Sequence, residues 1–591
     1  MFIHYGVGTL TLTIILSYAY YCYMMSMSHA LVYTFLSYLC LLLALFRGKK
    51  LVDIFFFSVY SHGYYTNVKT LKKIPCYQDQ LYLGQGFSWN EHTAQSYYDI
   101  QSSLIPGKAL VQGGDARIHG VGATTESTLI LERSHRIGHT LTLGTTRSGK
   151  SRFCELIACQ DILANETVII FDPKNDQQLF NKIKIAASES NRTKELFVFH
   201  LAQPELSCSY NPIEDFDKTT EIASRITEQM PSHGDSIVFK DFSWRYVNAI
   251  FSALSQMQQN LSLSDIHYHA FHLDELTEKY LEHLIACNDI VPFACEPHLF
   301  KPKPKERKTK DKRSYITSLY DILHNEKKID SIAQTLHSYY KSDQKHLSKI
   351  TANLYPFLEK ILSGQCGQLL THTKPCHLNW RQVLEEKQIV YICLDALSDA
   401  EVARAVGGMM ISDLLSSAAE RYKKAAHNPG VVVSPVNLHI DEFADTLNND
   451  FVNLINKSGG AGFRINAYAQ TIHDLSAALS NTDKAKQILG NFNNLCFFRI
   501  SHIETAEVLI QRLKETSLKK HHIESRVTDD NDIETSFDFT SQRSSKVVLT
   551  TSPLISVDTL MSLPKGHCFY LTPNNAGESL FKLRLPILES N

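Results

Sequence analysis

The stretch HTLTLGTTRSGKS at residues 139–151 decides the fold. Its second part, GTTRSGKS at 144–151, is a complete G-x-x-x-x-G-K-[ST] phosphate loop, and the apolar run before it reads as a strand. SRFCELIACQDILA follows with the pattern of a helix, and ETVIIFDP then reads as a second strand ending at Asp172. Strand, phosphate loop, helix and strand open a parallel α/β domain.

The chemistry expected of the loop follows from its residue types. Gly144 and Gly149 allow a tight turn, and the backbone N–H groups of Thr145, Thr146, Arg147 and Ser148 face bound phosphates. The helix N-terminus favours their charge. Lys150 is expected to reach the β- and γ-phosphates, with the Ser151 hydroxyl on magnesium, which makes ATP and Mg2+ the expected cofactors. Hydrolysis also needs carboxylates, and VNLHIDE ends an apolar run in Asp441 and Glu442. Asp441 is assigned to the metal ion through water and Glu442 to activation of the attacking water. Asp172 competes for the metal-side role, but a lone carboxylate followed by proline suits it less well. Gln470 closes the apolar run FRINAYAQ, either as a γ-phosphate sensor or as a buried amide tying two strands. Arg499, ending NNLCFFR, either completes a site in trans or makes an ordinary surface pair.

Away from the loop, the first 46 residues lack Asp, Glu, Lys and Arg altogether. A bilayer span takes about 20 apolar residues, so two spans are placed near 6–25 and 30–46. The stretch RGKK at 47–50 puts the rest of the chain on the cytoplasmic side. Both ends of this multi-pass segment are then expected to face the cytoplasm.

The charge balance of −2 over 591 residues says nothing of a nucleic-acid partner. Thirteen cysteines without a C-x-x-C pair read as a reduced chain with no disulfide frame. His267 and His269 of IHYHAFH, two apart, do not share a helix face, and with His272 they make a poor metal set.

The remaining organisation is a membrane-proximal adaptor at 51–130 after the hairpin of 1–50, a first part of the nucleotide-binding domain at 131–214, an all-α domain at 215–365, and a second part with C-terminal strands at 366–591. Helical spacing in EIASRITEQM and YVNAIFSALSQM marks the all-α segment, and KPKPKERKTKDKR at 301–313 is an exposed linker, a DNA-facing loop or a plain solvated surface. The charged stretch 507–545 reads as partly mobile.

Beyond the phosphate loop, LGQGFSWNEHTAQ (83–95), IHGVG (118–122), VIIFDPKND (168–176), SYNPI (209–213), FKDFSWRYVNAI (239–250), HIDEFAD (439–445), AYAQT (467–471) and LPKGHCFYL (563–571) occur in family order. With these landmarks the chain resembles the TraD-type conjugative coupling proteins of type IV secretion, in the integrative-element, SXT-like class. The resemblance implies a RecA/FtsK-like P-loop motor interrupted by an all-α insertion and preceded by a two-helix transmembrane hairpin. It implies an ATPase that moves single-stranded DNA, sits in a bacterial inner membrane with its motor facing the cytoplasm, assembles as a homo-hexamer, and meets relaxase or relaxosome proteins and components of the secretion channel. In the family pattern Lys150, Ser151, Asp441 and Glu442 take the roles given above, Gln470 couples, and Arg499 reaches a neighbouring subunit. One departure is Asn175, where a glycine is common. The alternative reading is a secretion ATPase of the same build that exports protein.

Overall fold

The computed structural model describes residues 64–74, 79–103, 126–230, 236–258, 260–290, 309–342, 347, 351–372, 374–427, 433–445, 448–479, 482–529, 539–574 and 577–589. Among them no helix is long and apolar enough to cross a membrane. The two spans expected at 6–25 and 30–46 lie outside the described residues, as does 301–308 of the basic run.

In chain order the strands are β1 (Tyr64–Asn67), β2 (Gln80–Ser88), β3 (Ser127–Glu132), β4 (Thr140–Leu143), β5 (Thr167–Asp172), β6 (Leu196–His200), β7 (Ser209–Tyr210), β8 (His377–Leu378), β9 (Ile389–Cys393), β10 (Val436–Ile440), β11 (Phe463–Ala469), β12 (Asn494–Phe497), β13 (Glu515–Asp529), β14 (Phe539–Pro553), β15 (His567–Asn574), β16 (Gly577–Arg584) and β17 (Pro586–Glu589). Eleven of them form one sheet in the order β3-β2-β16-β15-β12-β4-β11-β10-β5-β9-β6. From β12 to β6 every neighbour is parallel. From β15 outward to β3 the pairing is antiparallel. The parallel strands are buried along their whole length at β4, β5, β9, β10 and β11, as a sheet covered on both faces requires. Residues 80–88 and 127–132, in the segment read as an adaptor, extend this same sheet through β16.

The apolar runs of β10 and β11 carry polar residues that form a buried network at the far end of the phosphate-loop helix, Lys150–Leu163. Asp161 accepts from Arg136 Nη1 and Nη2 at 2.6 and 2.8 Å, from Arg133 Nη1 at 2.6 Å, and from His439 Nε2 of β10 at 3.0 Å. Burial opposes its charge, but the Arg136 guanidinium and the other donors outweigh burial and hold its carboxyl well below the usual range. Beside it Glu166 accepts from Arg464 Nη1 at 3.0 Å and from Asn437 Nδ2 at 2.8 Å. Together they fix the helix against the sheet.

Between β7 and β8 the chain leaves the sheet for a helical insertion. Its helices include Ser236–Met257, Leu263–Phe271, Leu273–Cys287, Thr309–Asn325, Ser331–Lys341 and Leu354–Leu362. Their apolar faces, with Val247, Leu281, Leu336 and Leu358 buried, continue the core of the sheet. The insertion departs and returns at one neck, where Ser209 and Tyr210 pair in parallel with His377 and Leu378. Cys208 and Cys376, the residues just before these strands, are joined by a disulfide with their Cα atoms 4.7 Å apart. This departs from the reading of a chain without disulfides, because 168 positions separate two cysteines that only the closure of the insertion brings together. Within the charged 507–545 stretch and just beyond it, β13 and β14 pair from Glu515–Pro553 to Asp529–Phe539 as a long two-stranded ribbon.

Candidate nucleotide site

The phosphate loop leaves β4 at Leu143 and enters its helix at Lys150, with Arg147 and Gly149 in the left-handed region at φ 60° and 132°. At Gly149 the reason is also steric, since a Cβ there would stand 2.9 Å from the Phe498 ring and 3.2 Å from Gly566 Cα. A Cβ on Gly144 would stand 2.6 Å from Phe498 Cβ. The loop is tied down from outside. Thr145 N–H and Oγ1 donate to the Arg499 carbonyl at 2.8 and 3.2 Å, and Gly566 N–H donates to the Ser148 carbonyl at 2.8 Å. Ser148 Oγ donates back to Thr145 O at 2.7 Å.

Lys150 is buried, and its Nζ donates to the carbonyls of Gly144 at 2.6 Å and Thr145 at 3.3 Å. Burial pushes its pKa down, opposed by the nearby charges of Glu442 and Asp441. The amine is thus held within its own loop, at the start of a helix whose first N–H groups lack intrahelical partners.

Asp441 follows β10, and its N–H donates to Phe171 O of β5 at 3.0 Å. Its carboxyl is pushed up to about 6, first by burial and then by the charge of adjacent Glu442. Glu442 adopts φ 42°, a left-handed conformation uncommon for its type and the kind of local strain found at functional sites. Gln470, at the end of β11, stands between β4 and β10 in the sheet. Its Nε2 donates to Glu442 Oε1 at 3.1 Å, and its Oε1 accepts from Thr146 Oγ1 at 3.1 Å. Gln470 therefore bridges the phosphate loop to the carboxylate pair.

The structure brings Thr146, Lys150, Asp441, Glu442 and Gln470 together. Ser151 lies in the first turn of the same helix, half-buried. Arg499 lies behind the loop, half-buried, with its carbonyl on Thr145; the reach assigned to its side chain concerns a second copy of the chain. Asp172 is engaged structurally. It accepts from Tyr391 Oη, from Lys174 N–H at 2.9 Å and from Asp176 N–H at 2.6 Å, which closes the turn after β5. Asn175 within that turn has φ 60°, a conformation that asparagine tolerates better than most residues, so the glycine position of the family pattern is filled without loss of the turn.

Sequence reasoning missed Lys174, whose Nζ forms an ion pair with Glu442 Oε1. The signal was the DPKND turn at the end of β5, beside β10, but using it required the strand order. Phe498 and Gly566, the floor of the loop, were missed for the same reason.

The fold and this site define a P-loop α/β nucleotide-binding domain. Residues 435–565 match the family model described as the TraM recognition site of TraD and TraG. The trigonal form of the bacterial conjugative coupling protein TrwBdeltaN70, in complex with sulphate, is similar with a TM-score of 0.51 and 13% identity, covering 86% of this chain and 94% of that one. The plasmid coupling protein TrwB in complex with ADP and Mg2+ is similar with a TM-score of 0.50 and 14% identity, covering 78% and 87%. No curated protein matches the sequence. The sequence resemblance thus extends to a segment that matches a TraD and TraG model and to a fold similar to that of TrwB.

Proposed function

We propose that the chain is a membrane-anchored ATP-hydrolysing DNA motor that couples relaxase-bound single-stranded DNA to a type IV secretion channel during conjugative transfer. The observation that carries this reading is the bridge Thr146–Gln470–Glu442, which links the loop that would hold the γ-phosphate to the carboxylate that would activate water. Lys150 moves from its loop carbonyls to the β- and γ-phosphates when ATP enters, and the helix N-terminus orients the phosphate chain. Glu442, held by Gln470 and Lys174, takes the proton of the attacking water. Loss of the γ-phosphate frees Thr146 and Gln470 to return to their mutual hydrogen bond, so the strand-end contacts report the state of the nucleotide.

The donor set suits a magnesium ion. Asp441 is a buried carboxylate whose charge burial and Glu442 disfavour, so a cation beside it is welcome, and the Ser151 hydroxyl stands in the first turn of the loop helix. When bound, the ion neutralises charge on the phosphates and orients them for in-line attack.

A TrwB structure of the same fold holds ADP and Mg2+, which supports the choice of nucleotide and ion. The family description of segment 435–565 supports contact with an accessory protein of the relaxosome through that segment. The charge-free N-terminal 46 residues support two inner-membrane spans with the motor in the cytoplasm, and the family pattern supports a homo-hexamer around the DNA.

The test is magnesium-dependent ATP hydrolysis by the full chain in detergent, with and without single-stranded DNA, beside Lys150→Ala. DNA stimulation that vanishes in the variant supports the proposal. Lys150-dependent hydrolysis indifferent to DNA moves the reading to export of protein, and hydrolysis retained by the variant refutes the site.

A further inference from the structure

The neck of the helical insertion carries a side-chain cluster that the nucleotide site does not use. Glu214 leaves the neck just after β7, while His372 and His377 lie on the returning chain, the latter beginning β8. His377 Nε2 is hydrogen-bonded to Glu214 Oε2, and His372 Nδ1 stands 3.6 Å from that same oxygen. One ligand atom from each of the three residues lies within 4.8 Å of the others. From these observations we propose that Glu214, His372 and His377 bind a divalent transition-metal ion of the zinc class, which clamps the root of the insertion to the motor.

Two imidazoles and a carboxylate are a donor set that zinc accepts, with a fourth position left to water. At the usual Zn–N and Zn–O lengths, tetrahedral ligand atoms stand about 3.3 Å apart. The spacing from Glu214 to His372 is close to that value, and the hydrogen-bonded pair needs only to part slightly.

The ligands are also held from behind. Ser209 Oγ lies 2.9 Å from His377 Nδ1 and 3.4 Å from Cys376 O. It can accept from Nδ1–H while donating to that carbonyl, which leaves Nε2 free as a metal ligand; such outer partners orient ligating histidines. The Cys208–Cys376 disulfide and the Lys374 Nζ contact to Ser207 O at 3.1 Å hold the two strands in register. Glu214 and His372 also line a cavity of about 190 Å3 whose wall mixes polar residues such as Asn211 and Gln258 with the apolar Ile213, Phe216 and Leu261, with room for the water that completes the coordination. The site joins segments that are 163 positions apart, so an ion there ties the point where the insertion leaves the sheet to the point where it returns.

The experiment is zinc binding to the full chain in detergent without reductant, read by competition with a chromogenic chelator and by metal content after gel filtration. One zinc per chain is expected. Its affinity should fall by more than about 100-fold in His372→Ala and in Glu214→Gln, and by about 10–100-fold in Ser209→Ala, the size expected for an outer partner. His372 and Glu214 are solvent-accessible, so these variants are expected to elute as wild type does. Cys287→Ser is the control for the exposed pair in which Cys287 Sγ lies 3.5 Å from His283 Nε2, and it should bind as wild type does. Absence of bound zinc, affinity unchanged in His372→Ala, or binding lost only in Cys287→Ser would overturn the proposal. None of these outcomes depends on ATP hydrolysis, so the motor reading stands or falls separately.

Discussion

Replacing Asp441 with asparagine should stabilise the nucleotide-free chain while removing its hydrolysis. Burial, then the charge of Glu442, raises the Asp441 carboxyl from 3.8 to about 6 in the fold. A carboxyl with a raised folded pKa binds its proton more tightly folded than unfolded. Stability is therefore lost as pH climbs through this interval, and the full penalty is present above about 6. At about 1.36 kcal/mol per pKa unit the penalty at pH 7.5 is about 3 kcal/mol. It shrinks to about half that at pH 5 and vanishes below the unfolded pKa. Asparagine keeps the shape and carries no charge, so Asp441→Asn should gain up to about 3 kcal/mol at pH 7.5 and about half as much at pH 5. The assay is denaturant unfolding of the full chain in detergent at both pH values, with magnesium-dependent hydrolysis measured on the same samples. A variant that is less stable than wild type at pH 7.5, or whose gain does not change with pH, would refute the electrostatic reasoning. A variant that still hydrolyses ATP at the wild-type rate would refute the role of the residue.

Glu442→Gln preserves an acceptor for Gln470 but removes the base, so hydrolysis should drop about 10²–10⁴-fold, roughly 3–5 kcal/mol of barrier, while ATP still binds; equal turnover in a single-turnover assay would reject it as the base. Asp161→Asn leaves two buried guanidinium groups facing a neutral amide, and about 3–5 kcal/mol of stability should be lost; an unchanged denaturation midpoint would show that the network is not what fixes the loop helix. Gly149→Ala forces a side chain into a backbone at φ 132° and against Phe498, so nucleotide-analogue affinity should fall with a stability loss of about 1–3 kcal/mol. Wild-type affinity in calorimetry would contradict that packing.

The part of the site legible in the sequence was the part written in contiguous residues. GTTRSGKS announces its own backbone, and VNLHIDE and FRINAYAQ are apolar runs whose last polar residues emerge at strand ends. Gln470 was open between sensor and strand tie, and its contacts run from Thr146 of the loop to Glu442 of the carboxylate pair. What depended on strand order was not legible. Lys174 meets Glu442 because β5 lies beside β10, and Phe498 and Gly566 underlie the loop because β12 and β15 follow β4 across the sheet. His439 and Arg464 are polar residues within apolar strands, and their partners Asp161 and Glu166 are supplied only by the packing of the loop helix and its exit on the sheet. The neck cysteines carried no pairing signal at a separation of 168.

The position of β4 has a consequence for biosynthesis. The strand that presents the phosphate loop has β11 and β12 as its two neighbours, more than 300 residues later in the chain, and the loop's floor waits further still for Gly566. A ribosome therefore releases residues 139–151 long before anything exists for them to pair with, and the whole helical insertion emerges in the interval. Contacts this distant in sequence close slowly, so the exposed edges of β4 and β5 must be shielded while synthesis continues. Nascent chains halted before residue 463 should lack a nucleotide pocket altogether, which ties nucleotide binding to late stages of translation.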